Sequence, residues 1–413
     1  MLKSLLRSED GNTLAVLAVA FPLLIGSAGL AVDVFQWTTA RNALQKVADQ
    51  AAIAGVNAVV QGSSPEAAVS DLIGRTSTLE NGTSTKVELS PESRPKDPFA
   101  VEVRLTSPAR MTFSSLFLSK PLTLSAQAVA SVVENGDYCL LALGSNDTGI
   151  AIQSDGRLES ECGLASNSSS PAAIQVTAGG RLEAPRVVAF GGISGWSNPE
   201  SSIGRSFGLR QKDPYAHAAA PAVPNTGCPN VTVNPDNRGR GALKLKPGCY
   251  GNLQLNGNVI MQPGEYILNK GNFIVGPLGS VECKGCTFIL TSRDGGSDPG
   301  SIGKVRIDPK ANVKLSAPSE GPDPGLLIYQ DPRAGREVAG EESRIGGNSF
   351  SKLDGIIYMP SQAIRIDGRG GANLSCSRLL GRALIVEGRV VIGKDCLGVD
   401  QMRIAGTEVR LVG

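Results

Sequence analysis

The sequence has a single histidine, His217. That scarcity excludes Ser-His-Asp triads, histidine-ligated zinc and histidine proton relays as the basis of its chemistry. Aromatic residues make up only 4% of the chain, too few for the large side chains that fill a helix-rich enzyme core. There is also no excess of either charge: 40 Lys and Arg stand against 38 Asp and Glu, a net charge of +2. A nucleic-acid-binding protein with a large basic face is excluded on that count. What the 413 residues do contain is glycine and proline, 50 and 25 respectively. This composition predicts a turn-rich, mainly β chain, long enough for about two or three domains.

The one long apolar run is Gly11–Val32, bounded by Asp10 and Asp33 and free of charged residues. As a helix rising ~1.5 Å per residue it matches a hydrocarbon core of ~30 Å. Pro22 and Gly26 are tolerated in such a helix. The expected reading is a retained transmembrane anchor over 11–32 behind a cytoplasmic stub, 1–10. A cleaved signal peptide ending after Ala31 is the alternative, although its apolar region is usually shorter. Flanking charge does not orient the span, because Lys3 and Arg7 before it balance Arg41 and Lys46 after it. Cysteine does. All eight cysteines lie between Cys139 and Cys396, and an even set downstream of one hydrophobic segment indicates disulfides in an oxidising compartment.

Beyond the span, Trp37, Ala40, Leu44, Val47, Ala48 and Ala51 recur mostly at steps of three or four, with Arg41, Gln45, Asp49 and Gln50 opposite. This small-residue stripe predicts either packing onto the chain's own strands or a face for lateral helix assembly. Ser64 caps a second, short helix with Pro65 in its first turn. Strand-like stretches follow at Lys86–Leu89, Phe99–Leu105 and Leu122–Val133. Residues 33–135 are thus expected to form a helix plus a small sheet.

The segment from Gly11 to Ala58 resembles the N-terminal region of the TadE/TadG-like proteins of Flp (tight-adherence) pilus assembly. The matching features are Gly11-Asn12, Pro22, the exit Gly29-Leu30-Ala31-Val32-Asp33, Trp37, Leu44-Gln45, and Ala48-Asp49-Gln50-Ala51-Ala52 leading to Gly55. The resemblance implies a single-pass protein of the bacterial inner membrane, with its body in the periplasm and other Tad/Flp proteins as partners. Two family features are missing: an Asp-x-Ser-x-Ser metal-dependent adhesion motif, and a Glu at the fifth position after Gly11, which is Val16.

Residues 136–413 repeat internally. Ile152–Ser160 aligns on Val176–Ala184 at a shift of 24, Ile366–Arg369 on Val386–Arg389 at 20, and Pro247–Tyr250 on Pro263–Tyr266 at 16. Short apolar runs joined by glycine turns at such periods predict a disulfide-stapled β-solenoid of the right-handed β-helix kind, with a β-sandwich as the alternative. A proline-rich insertion occupies 205–233. Adjacent coils ~4.8 Å apart bring equivalent cysteines within bridging distance. The expected pairs are Cys376–Cys396, Cys139–Cys162 and Cys228–Cys249, with Cys283–Cys286 as a local structural pair.

The functional expectation is a non-catalytic component of a Flp/Tad pilus system that needs neither cofactor nor metal. Two alternatives stay open. The first is an adhesin or polysaccharide-binding β-helix using Trp196, Tyr329 and Tyr358. The second is a polysaccharide-active enzyme built on Asp308, Asp331, Asp354 and Asp367 with Arg365 and Arg369.

Overall fold

A computed structural model of the protein describes residues 12–76, 82–116, 118–120, 122–197, 199–218, 221–225, 227–235, 241–338, 340–371, 373–393 and 403–412. The expected stub, 1–10, lies outside the described residues, as does Cys396. The chain divides into two compact units, 1–133 with 408–413, and 134–407.

In the first unit, helix α1 runs unbroken from Asn12 to Val60, with Pro22 inside it. Its two halves differ sharply. From Val16 to Phe35 the large apolar side chains are exposed, whereas Leu44, Val47, Ala48, Ala51, Ala52 and Val56 are buried. Helix α2, Pro65–Gly74, is capped by the Ser64 hydroxyl, which accepts the Ala67 N–H. Three antiparallel strands pack in this unit: β1 (Ser84–Leu89), β2 (Val101–Pro108) and the first half of β3 (Thr123–Ala142). The unit also takes in the end of the strand Ala405–Leu411. Val101 packs against the helix at Gly55, and Gln45 donates to the Gln127 carbonyl at 2.9 Å. The small side chains of the stripe let α1 approach the sheet closely. Leu44, Val47, Ala48 and Ala51 are buried in this unit.

The second unit is an open, parallel sheet, mostly of short strands, most of which pair with the strand three further along the chain. One line of paired strands runs through Val231–Val233, Leu253–Leu255, Phe273–Val275, Val305–Ile307, Ser343–Ile345 and the segment 364–366. The chain therefore passes through two intervening strands, and so turns three times, between most paired strands. At one such corner an asparagine ladder satisfies the backbone. Asn252 N–H donates to the Asn230 side-chain oxygen (2.7 Å), Asn272 N–H to that of Asn252 (2.8 Å) and Lys304 N–H to that of Asn272 (2.7 Å). Beside it Gly251, Gly271 and Gly303 stack so closely that a Cβ on either of the last two would strike the carbonyl of the glycine before it. Inward side chains form one continuous core, including Leu253, Phe273, Phe288, Val305, Ile357, Leu379 and Leu140.

Backbone register fits two of the sequence repeats and corrects the third. Ile152 pairs with Val176 and Ile366 with Val386. Cys249, however, pairs with Ile267, a shift of 18 rather than 16. The rings of Tyr250 and Tyr266 do stack, with centroids 5.9 Å apart, so the 16-residue motif records side-chain stacking while the backbone pairs two residues later.

Spatial order departs from chain order. The long strand Asn373–Ile392 pairs on one side with Lys352–Gly368 and on the other with 140–142, 150–152 and 157–160. This late strand thus sits between the strand before it and the first strands of the unit. The proline-rich insertion carries the chain from Ile203–Arg205 back to Val231–Val233. Along the way it crosses a line of in-register side chains that face away from the main core: Cys249, Ile267, Ile289, Tyr329, Tyr358, Leu380, Leu141, Ala165 and Val188. Most of these form a second apolar cluster, on which Tyr215 of the insertion packs. The insertion is a strap. Gln211 and Asn167 exchange hydrogen bonds of 2.7 and 2.9 Å, Tyr358 donates to Asp213 at 2.9 Å, and Arg293 donates to the Pro224 carbonyl at 2.6 Å. The strap ends at the Cys228–Cys249 disulfide, whose Cα atoms are 4.9 Å apart.

Disulfides also join Cys139 to Cys162 and Cys283 to Cys286, with Cα separations of 5.6 and 6.0 Å. Cys376 is disulfide-bonded. No cysteine among the described residues is free.

Candidate functional site

The residues singled out in the N-terminal segment converge where α1 changes from exposed to packed. Asp33 closes the apolar run, and its side chain is completely buried. A carboxylate in that position is costly unless its oxygens are satisfied, and here they are. One oxygen accepts the Thr112 N–H at 3.2 Å. The other accepts the Phe113 N–H at 2.9 Å and both the N–H and the hydroxyl of Ser114 at 2.6 Å. Those donors open the single 3₁₀ turn Ser114–Leu116, so the acid on the helix clamps the turn that follows β2. One turn of α1 earlier, the Phe113 ring lies over Gly29, so close that a Cβ there would fall 2.7 Å from it. Only glycine fits.

One turn beyond Asp33, the Trp37 indole N–H donates to the Arg110 carbonyl at 2.8 Å. Trp37, Ala40 and Leu44 line one wall of a groove of about 400 Å³, with Pro108, Arg110 and Leu124 opposite. Of the six stripe residues, then, Trp37, Ala40 and Leu44 edge this groove and Val47, Ala48 and Ala51 lie in the packed interior. The clamp between Asp33 and residues 112–114 spans about 80 positions of sequence. Its sequence signal was confined to Asp33 itself, an acid at the edge of an apolar run.

The candidate acids of the second unit do not share one pocket. Asp308 accepts the Lys310 N–H at 2.8 Å in its own turn. Asp354 pairs with Lys352 at 2.8 Å. Asp331, fully buried, pairs with Arg333 at 2.6 Å and accepts the Thr291 hydroxyl at 2.7 Å. Asp367, also buried, pairs with Arg369 at 2.6 Å and lies 3.8 Å from Arg344. Arg365 is held between Glu342 and Glu387. Burial disfavours ionisation of Asp331 and Asp367, but hydrogen bonds from Arg333 and Arg369 outweigh it and hold both carboxyls below the usual carboxylate range. Among the described residues no three His, Cys, Asp or Glu side chains are placed to hold a metal ion.

The aromatic residues considered for sugar stacking are packed away. Tyr329 and Tyr358 are buried and stack on each other at 5.4 Å. Trp196 packs against the main core and donates to the Leu182 carbonyl at 3.0 Å. Burial raises the Tyr329 hydroxyl to about 12.

Residues 11–58, which carry the exposed apolar segment, Asp33, Trp37 and the packed stripe, match the Tad family, described as "Putative Flp pilus-assembly TadE/G-like". The N-terminal segment is therefore TadE/G-like, and the match links the chain to Flp/Tad pilus assembly. No curated protein and no solved structure matches it.

Proposed function

We propose that this protein is a non-catalytic, membrane-anchored component of a Flp/Tad pilus assembly system, with its large body in the bacterial periplasm. The observation that carries this reading is the coincidence of the family match, 11–58, with a helix whose first half is apolar and exposed and whose second half is packed. In water a helix with that much bare apolar surface is a liability. In a bilayer its first half spans the hydrocarbon and its second half carries the sheet. The disulfides favour an oxidising compartment for the body. The strand-on-third-strand pairing supports winding as a β-solenoid, in which Gly and Asn occupy corners and the inward residues form one core. The non-catalytic reading draws on the ion-paired, dispersed acids.

The test is genetic and biochemical together. Deleting the gene should abolish Flp-type pili, and the full-length chain should restore them, whereas a version lacking 11–32 should not. Alkaline carbonate washing should leave the full-length protein in the membrane fraction. Piliation that persists without the gene would overturn the assembly role, and release by carbonate would overturn the anchor.

A further inference from the structure

Among the described residues of the segment between β2 and β3, four large apolar side chains are exposed. Their exposures are 39% for Phe113, 78% for Leu116, 44% for Leu118 and 42% for Leu122. They are not scattered. Asp33 holds the turn carrying Phe113 and Leu116 against α1 by four hydrogen bonds, and Phe113 covers Gly29, a buried position within the exposed apolar half of the helix. Gly29 precedes Asp33 by four residues, so at ~1.5 Å per residue Phe113 reaches about 6 Å past the acid along the helix axis. Segments that lie in a membrane interface bury their apolar side chains by ~5–10 Å. Lys120, which follows Leu118, supplies a cation of the kind that anchors at headgroup level.

Resting on the membrane-anchor reading above, we propose that Phe113, Leu116, Leu118 and Leu122 form a second, interfacial attachment to the lipid bilayer, inserting into the leaflet from which α1 emerges. The Asp33 clamp sets the depth of insertion and the rotation of α1 relative to the membrane plane. It also explains how an acid can sit at the edge of the hydrocarbon, since its oxygens are satisfied by protein donors before any lipid reaches them.

The experiment uses the full chain reconstituted in phosphatidylglycerol–phosphatidylethanolamine vesicles that contain nitroxide-labelled lipid, with the label near the headgroup or deep in the acyl chain. Three single substitutions are compared with the parent, whose own tryptophans are a constant background: Leu116→Trp, Phe21→Trp within the span, and Leu89→Trp at the end of β1. The expected result is several-fold stronger quenching of L116W by the shallow label than by the deep one, quenching of F21W by the deep label, and none for L89W. If F21W is quenched while L116W behaves like L89W, the interfacial attachment is overturned and the anchor stands. If neither F21W nor L116W is quenched, the span itself is refuted and the attachment falls with it.

Discussion

Replacing Cys228 and Cys249 by serine tests how the strap is held. Their disulfide joins positions 21 apart in sequence and encloses the terminal strands Val231–Val233 and Leu243–Leu245. In the chain-entropy account, closing a loop of that size restrains its open state by roughly 3 kcal/mol. Each ~1.4 kcal/mol is a tenfold change in an equilibrium constant, so opening of this terminal segment should rise by up to about a hundredfold in the double variant. The other end of the strap has separate fastenings, the Gln211–Asn167 pair and the Tyr358–Asp213 hydrogen bond. Loss of protection should therefore stay local. Native-state amide exchange resolved by peptide should show faster exchange at Val231, which donates to the Asn252 carbonyl, and at Gly251, which donates to that of Pro229. Peptides covering Gln211 and Tyr215 should keep their parent rates. Uniform loosening from Gln211 to Tyr250 would refute the two-ended attachment. Unchanged exchange at Val231 and Gly251 would refute the disulfide's role.

Two neighbouring tyrosines should respond oppositely to loss of a hydroxyl. Tyr358→Phe removes a hydrogen bond to the Asp213 carboxylate and should cost ~1.5–3 kcal/mol in denaturant unfolding. Tyr329→Phe removes a buried hydroxyl that has no hydrogen-bond partner among the described residues and should be neutral or stabilising. Phe288→Ala empties a fully buried site stacked on Phe273 at 4.4 Å and Tyr266 at 5.5 Å, and should cost ~3–5 kcal/mol by the same assay. Acid should destabilise the second unit through Asp331 and Asp367. Their carboxyls are held below the unfolded value of ~3.9, so their contribution is complete above that pH and is lost as pH falls through the lower folded values. Acid unfolding followed by circular dichroism should begin below about pH 4, and Asp367→Asn should flatten its dependence on pH.

The strand positions were legible because the apolar residues of each repeat return to the same side of a glycine turn. That is why Ile152 with Val176 and Ile366 with Val386 were found from sequence alone. The asparagine ladder was also in plain sight, at Asn230, Asn252 and Asn272. Its spacings of 22 and 20 fell within the 16–24 range of the recognised repeats, but an asparagine bonded to a backbone amide leaves no mark on hydropathy. The Asp33 clamp was illegible for a different reason. Three of its four donors are backbone N–H groups about 80 residues away, which any sequence supplies, and the fourth is one serine hydroxyl among many. Periodicity was equally silent on stacking order, since a repeat shows which side chains occupy equivalent corners and carries no information about which coil meets which. The small-residue stripe of α1 had two physical solutions, its own sheet or a second helix. Both demand close approach of backbones, so only the fold distinguishes them.

The placement of strand Asn373–Ile392 between its predecessor and the first strands of the unit has a kinetic consequence. Leu140 finds its partner at Leu379, so the strands built first wait for nearly the whole of the second unit to be synthesised before one of their edges is covered. Until then both parts carry unpaired backbone, the condition under which long-range parallel pairing is slow and aggregation competes. Strand Asn373–Ile392 is the keystone. A nascent chain halted before it would hold two incomplete arches joined by the strap alone, and full cooperativity would arrive only when that strand slots between them.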